Sequence, residues 1–140
     1  MTNLKLIEGG MPPKGRVILV VEDEPMIRLA LCTHLEDKGF EIREAACAAE
    51  AVAILQEPSC PVSLVFSDVR MPGEMDGLGL SRWIFDNRPS IPVILASGDL
   101  GKETAMKDLC GVEAIAKPYS FEAATNKICA VMAKGRSPAA

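Results

Sequence analysis

The sequence predicts an α/β protein built on a doubly wound, five-stranded parallel sheet with helices on both faces. Three observations predict it. Short apolar, β-branched runs recur along the chain, and segments with helical spacing fall between them. The most informative run, Leu64-Val65-Phe66-Ser67-Asp68-Val69-Arg70-Met71-Pro72-Gly73, ends in a carboxylate and breaks at once on Pro and Gly. Strands that alternate with helices pair in parallel, and right-handed crossovers then make 2-1-3-4-5 the natural strand order.

Strand one is Val17-Ile18-Leu19-Val20-Val21, apolar throughout as expected of a strand covered on both faces. It runs into Glu22-Asp23-Glu24-Pro25, where the proline suits the first turn of a helix. Ile27, Leu31 and Leu35 give that helix an apolar stripe, and Gly39 stops it. Phe40 to Ala45 alternates, which predicts a weaker second strand at a sheet edge. Ala48 to Leu55 is rich in helix formers, with Val52 and Leu55 facing inward. Strand three is the Leu64–Phe66 run, closed by Asp68. After the Met71–Asp76 loop, a helix over Gly77–Asn87 carries Leu80, Trp83 and Ile84 on one face. Strand four is Pro92 to Ala96, followed by Ser97-Gly98-Asp99. Leu100 to Cys110 reads as a short, loosely held helix. Strand five, Ala114 to Ala116, ends at Lys117-Pro118, and Ser120 caps a last helix that buries Phe121, Ala124, Ile128 and Val131. Residues 1–15 and 135–140 read as flexible tails around one folded domain over 16–134.

The 140 residues suit a single domain, and 49% hydrophobic with 24% charged residues is ordinary globular composition. No apolar run approaches the roughly 20 residues of a membrane span, and the start lacks the pattern of a secretory signal. A cytoplasmic protein without a membrane partner is expected. A net charge of −4 without any Lys/Arg cluster argues against DNA as a partner, since phosphate neutralisation drives such binding. Cys32, Cys47, Cys60, Cys110 and Cys129 form no C-x-x-C pair and no zinc spacing, so they read as reduced, partly buried thiols.

In open α/β sheets, chemistry gathers at the carboxyl ends of the strands. Strand one delivers Glu22 and Asp23 there, strand three Asp68, strand four Ser97 and strand five Lys117. Crowded carboxylates repel unless a cation sits among them, and hard oxygen donors suit Mg²⁺. An aspartate with Mg²⁺ and a lysine beside it is equipped to attack a phosphoryl group, because both cations neutralise charge on the transferring oxygens.

Four motifs, Val-Val-Glu-Asp-Glu-Pro, Asp-Val-Arg-Met-Pro-Gly followed by Met-Asp-Gly, Ala-Ser-Gly, and Ala-Lys-Pro-Tyr, follow strands one, three, four and five in this order. In this set the chain resembles the receiver domain of bacterial two-component response regulators, of the single-domain, chemotaxis-regulator-like kind, from about Arg16 to Lys134. The resemblance implies a flavodoxin-like (βα)5 fold in which Asp68 is the phosphoacceptor. It makes Asp23 a direct Mg²⁺ ligand, Glu22 a support of the metal, and the Arg70 backbone carbonyl the remaining protein ligand. Lys117 would contact the phosphoryl oxygens. Ser97 would hydrogen-bond the acyl phosphate and draw its loop inward, shifting a two-state equilibrium. The Lys117-Pro118 bond is expected to be cis. The chain would not be an enzyme in its own right but would assist its own phosphorylation and dephosphorylation. Its donor would be a histidine kinase or phosphotransfer protein, and with no effector segment in this sequence its output would pass to another protein, with a homodimer left open.

One departure stands out. Most receivers carry an aromatic residue three positions before the strand-five lysine, and this chain has Ala114. That change leaves a receiver-like docking module, indifferent to phosphorylation, as the alternative function. Other folds of similar topology fit less well. A nucleotide- or flavin-binding loop after strand one would be repelled by Glu22, Asp23 and Glu24. A haloacid-dehalogenase-like phosphatase would open Asp-x-Asp on its first strand. His34 sits in helix one, away from the strand ends, and is expected to be structural or solvent-facing.

Overall fold

Val17–Val21 form β1, buried along its whole length because its five apolar side chains have helices on both sides to cover them. The computed structural model describes residues 16–99 and 112–134; the expected tails and the expected Leu100–Cys110 helix lie outside them. β1 pairs on one side with β2 (Glu41–Ala45) and on the other with β3 (Val62–Asp68), and the sheet continues through β4 (Val93–Ser97) to β5 (Val112–Ala116). Every pairing is parallel and the order is β2-β1-β3-β4-β5. The β1–β3 register slips between Val17 and Ile18, where the Val17 N–H turns to the Ser63 hydroxyl at 3.4 Å.

Four helices are described: α1 (Pro25–Asp37), α2 (Ala48–Leu55), α3 (Gly77–Asn87) and α4 (Phe121–Lys134). Because side chains alternate along each strand, the sheet feeds two cores. Val17, Leu19, Val21, Val65 and Leu95 pack with Ala51 and Leu55 of α2 and Leu80 and Ile84 of α3. Ile18, Val20, Leu64, Phe66 and Ile94 pack with Leu31 and Leu35 of α1 and Ala124 and Ile128 of α4. Each large side chain fully withdrawn from water contributes about 1.5–3 kcal/mol, so both faces of the sheet are held and its carboxyl rim is left open for chemistry. α1 ends as expected: Lys38 caps it and Gly39 follows at φ 105, a left-handed turn that only glycine makes without strain.

Several expectations shift. Ile27 is not on the buried stripe of α1 but 41% exposed. That helix buries Leu31, Cys32 and Leu35, whereas Ile27 belongs to the first turn, which stands at the rim of the sheet. β4 starts one residue later than expected, at Val93, and includes Ser97. Pro92 has no N–H to give the ladder, although its carbonyl accepts from Val65. β3 and β5 are longer than their most apolar stretches: Ser67 and Asp68 complete β3, and Val112 and Glu113 open β5. Ser120 caps α4 as expected, its hydroxyl accepting from the Ala123 N–H at 2.9 Å.

Candidate phosphoryl-transfer site

The rim residues are placed by the ends of the strands. The Glu22 N–H donates to the Ala45 carbonyl at 3.0 Å, which extends the β1–β2 ladder one residue beyond β1. The Glu22 carboxylate then accepts the Glu24 N–H at 3.0 Å. Asp68 closes β3 opposite Ala96, and Ser97 closes β4 opposite Ala116. Past β5, the Lys117 N–H donates to the Ser97 carbonyl at 2.8 Å, carrying the lysine to the same edge. The Lys117-Pro118 bond is cis.

These anchors bring four of the expected residues together. Lys117 Nζ lies 2.9 Å from Asp68 Oδ1, and carboxylate oxygens of Glu22, Asp23 and Asp68 lie within 4.8 Å of one another. Glu22 and Asp68 are only 3% and 4% exposed. Burial, then the Asp68 carboxylate, push the Glu22 carboxyl up from 4.5 to about 7 against the Glu24 N–H and Lys117, which pull it down. Burial works to lower the Lys117 ammonium, but the hydrogen bond and charge of Asp68, with Glu22 and Asp23 beyond, hold it above its ordinary value. Two buried carboxylates facing one another, with a third in reach and one lysine between three acids, leave negative charge that a hard divalent cation would relieve. The donor set fits Mg²⁺.

Ser97 is buried at this edge, and its hydroxyl oxygen accepts the Asp99 N–H at 3.0 Å. Arg70 lies exposed in the loop after β3. That loop is pinned from below: the Gly77 N–H donates to the Val69 carbonyl at 2.7 Å, and Asp76 caps α3 by accepting the Gly79 N–H at 2.9 Å. A cavity of about 460 Å³ opens beside the site, lined by Glu22, Ile27, Lys117, Pro118, Tyr119 and Phe121. Burial first, then the Asp68 and Glu22 charges, raise the Tyr119 phenol well above its usual range, and its ring meets Phe66 edge-on at 5.5 Å.

Three residues here carry little signal in the sequence. Gly77 was visible in Met-Asp-Gly but its close packing was not. Arg28, whose guanidinium reaches the Glu22 carbonyl at 2.7 Å, carries no local signal. Tyr119 was visible only as the residue after Lys-Pro. The His34 ring lies 5.7 Å from that of Phe121, a residue that also lines this cavity. Ala114 is partly buried, opposite Leu95. Four described cysteines, Cys32, Cys47, Cys60 and Cys129, are free thiols. Burial, with Glu44 and Glu36, pushes Cys32 up to about 12, where a thiol is inert. No described helix is long and apolar enough to cross a membrane.

Comparison with known proteins agrees with this geometry. The sequence profile of the response regulator receiver domain matches residues 18–128. An NtrX-like response regulator of Rickettsia felis is 38% identical over 106 residues, 74% of this chain but 22% of that protein. The sensor kinase CckA of Brucella abortus is 41% identical over 81 residues, 58% of this chain and 8% of its own length. The chain therefore spans less than a quarter of these relatives. Among solved structures, a receiver domain protein of Clostridium thermocellum superposes with a TM-score of 0.76 at 28% identity, covering 85% of this chain and 95% of its own. The receiver domain of the hybrid histidine kinase CckA does so at 0.70 and 30%, covering 83% and 98%. With its sheet order, its rim of acids and lysine, and this match over most of its length, the chain belongs to the response regulator receiver domain family.

Proposed function

We propose that the chain is a working receiver that accepts a phosphoryl group on Asp68 from a histidine kinase or phosphotransfer protein, and that it signals through protein–protein contact. The observation that carries the reading is the pairing of a 4% exposed Asp68 with Lys117 at 2.9 Å beside two further acids. An Asp68 carboxylate oxygen attacks phosphorus in line as the phosphorus–nitrogen bond to the donor imidazole breaks. The product is an acyl phosphate on Asp68 and a free imidazole on the donor. Asp23, Asp68, Glu22 and the Arg70 carbonyl would hold Mg²⁺, which when bound neutralises charge on the phosphoryl oxygens. Lys117 leaves the Asp68 carboxylate for a phosphoryl oxygen, and the Ser97 hydroxyl donates to another, pulling the β4 loop toward the rim.

Incubation with acetyl phosphate, with and without Mg²⁺, tests this by intact mass. A Mg²⁺-dependent gain of one phosphoryl group, absent in Asp68→Asn, is expected. A chain that takes up none and has no Mg²⁺ affinity is instead a docking module, the reading that Ala114 leaves open.

A further inference from the structure

Arg28 does not touch the acids of the rim through its charge on a carboxylate there; it holds the backbone from which two of them hang. Its Nη1 donates to the Glu22 carbonyl at 2.7 Å, and its Nε donates to Glu44 Oε1 of β2 at 3.2 Å. The two peptide units that flank the Glu22 Cα are thus both held, one by the ladder bond from the Glu22 N–H to Ala45 and the other by the guanidinium on the Glu22 carbonyl. This is the point at which the chain leaves the sheet, where a free carbonyl would otherwise let the Glu22–Asp23 segment rotate. Arg28 sits in the first turn of α1, where its N–H makes the helix's first bond, to the carbonyl of the N-cap Glu24 at 2.9 Å.

We propose that Arg28 and Glu44 form a strut that positions Glu22 and Asp23 for a divalent cation, making Arg28 a positioning residue for the site rather than a member of the general scaffold. The inference rests on the metal reading given above. A planar fork with two donors fixed at once suits this task, since each bond orients the other. Partners one step removed from metal ligands commonly change affinity by about 10- to 100-fold when lost.

The chain offers its own control. Arg88, at the end of α3, also bridges two acceptors, both of them backbone carbonyls, with Nε to Leu55 at 2.9 Å and Nη2 to Glu57 at 2.8 Å. Mg²⁺ affinity is measured by calorimetric titration with MgCl₂ at pH 8, alongside the urea midpoint, in the double variant Arg28→Ala/Glu44→Ala and in Arg88→Ala. The double variant removes one positive and one negative charge, so the net charge near the cation is unchanged. The expected result is a Kd weakened about tenfold in the double variant and unchanged in Arg88→Ala, even where both lower the urea midpoint. Arg28→Lys, which keeps the charge but satisfies one acceptor, is expected to weaken binding by a smaller factor and repeats the test if the double variant does not fold. A double variant within twofold of wild type overturns the strut, as does an equal loss in Arg88→Ala. A wild-type chain that binds no Mg²⁺ overturns the metal reading itself.

Discussion

Gly77 lies directly against the backbone of Asp68: a Cβ placed on it would run into the Asp68 carbonyl oxygen and come within 2.7 Å of the Val69 Cα. The obstacle is backbone, not the end of a mobile side chain, so α3 or the end of β3 must shift to admit a methyl group. Gly77→Ala is expected to cost about 1–3 kcal/mol through overpacking and to slow phosphoryl uptake by Asp68 more than its stability loss explains. Gly79→Ala is the contrast. There a Cβ meets the Met75 side chain at 2.9 Å, which can move, and the helix gains about 0.5–1 kcal/mol from losing a glycine. Urea denaturation with acetyl phosphate kinetics separates the two; equal behaviour of both variants would remove Gly77 from any role in aligning Asp68.

The raised carboxyl of Glu22 gives the site a pH signature. Folded Glu22 keeps its proton up to about pH 7, whereas the unfolded chain releases it near 4.5. Between those values the folded state binds more protons than the unfolded state, so this group makes the metal-free protein less stable as pH rises through that window. Above it the penalty is fully present. Glu22→Gln is therefore expected to raise metal-free stability at pH 8 and to leave it little changed at pH 4.5, read by urea titration. Because a cation needs the carboxylate ionised, Mg²⁺ affinity should fall as pH drops below about 7. A proton should be released on binding at pH 6, visible as a dependence of titration heat on the buffer. Heat independent of buffer would show that Glu22 takes no part.

Much of this was legible in the chain, for reasons that differ by element. β1 was readable to its ends because all five of its residues are buried and nothing polar interrupts them. In the sequence β5 looks short because Glu113 breaks its apolar run. The structure explains that residue by its ion pairs with Lys127 at 3.3 Å and Lys134 at 3.0 Å from α4, a contact between elements that no local pattern announces. Ile27 misled because i, i+4, i+8 spacing marks a helix face but not how far the sheet beneath it extends. The rim acids and Lys117 were legible because each stands at the carboxyl end of a strand or within two residues past it. Arg28 and Gly77 were not, since their importance lies in where a carbonyl from another element falls.

Lys117 competes with any cation for Asp68. Removing the ammonium leaves a 4% exposed carboxylate facing Glu22, which destabilises the metal-free protein. The lysine side chain is 38% exposed, so the loss is closer to about 1 kcal/mol than to the larger cost of breaking a fully buried pair. Lys117→Met is expected to tighten Mg²⁺ binding several-fold, to reverse its stability loss when the ion is added, and to slow phosphoryl uptake at least about tenfold by removing charge neutralisation from the transferring oxygens. Calorimetric titration and intact mass over time measure the three effects. Weaker Mg²⁺ binding in this variant would mean that the lysine assembles the acids rather than competing for them.

His34 packs its ring against Phe121 at 5.7 Å, yet its Nε2 is buried with no hydrogen-bond partner among the described residues. A buried polar atom left unpaired costs about 1–3 kcal/mol, while the ring contact between α1 and α4 returns about 0.5–1.5 kcal/mol. His34→Phe keeps the contact and removes the nitrogen, so it should raise stability by about 1 kcal/mol, whereas His34→Ala, which loses both, should lower it. Phosphoryl uptake should be unaffected in His34→Phe, because the ring packs against Phe121 of α4 and is not itself among the residues lining the cavity. Urea midpoints of the two variants decide the matter: a His34→Phe protein less stable than wild type would mean that the imidazole nitrogens are satisfied in solution and that the histidine is kept for its polarity.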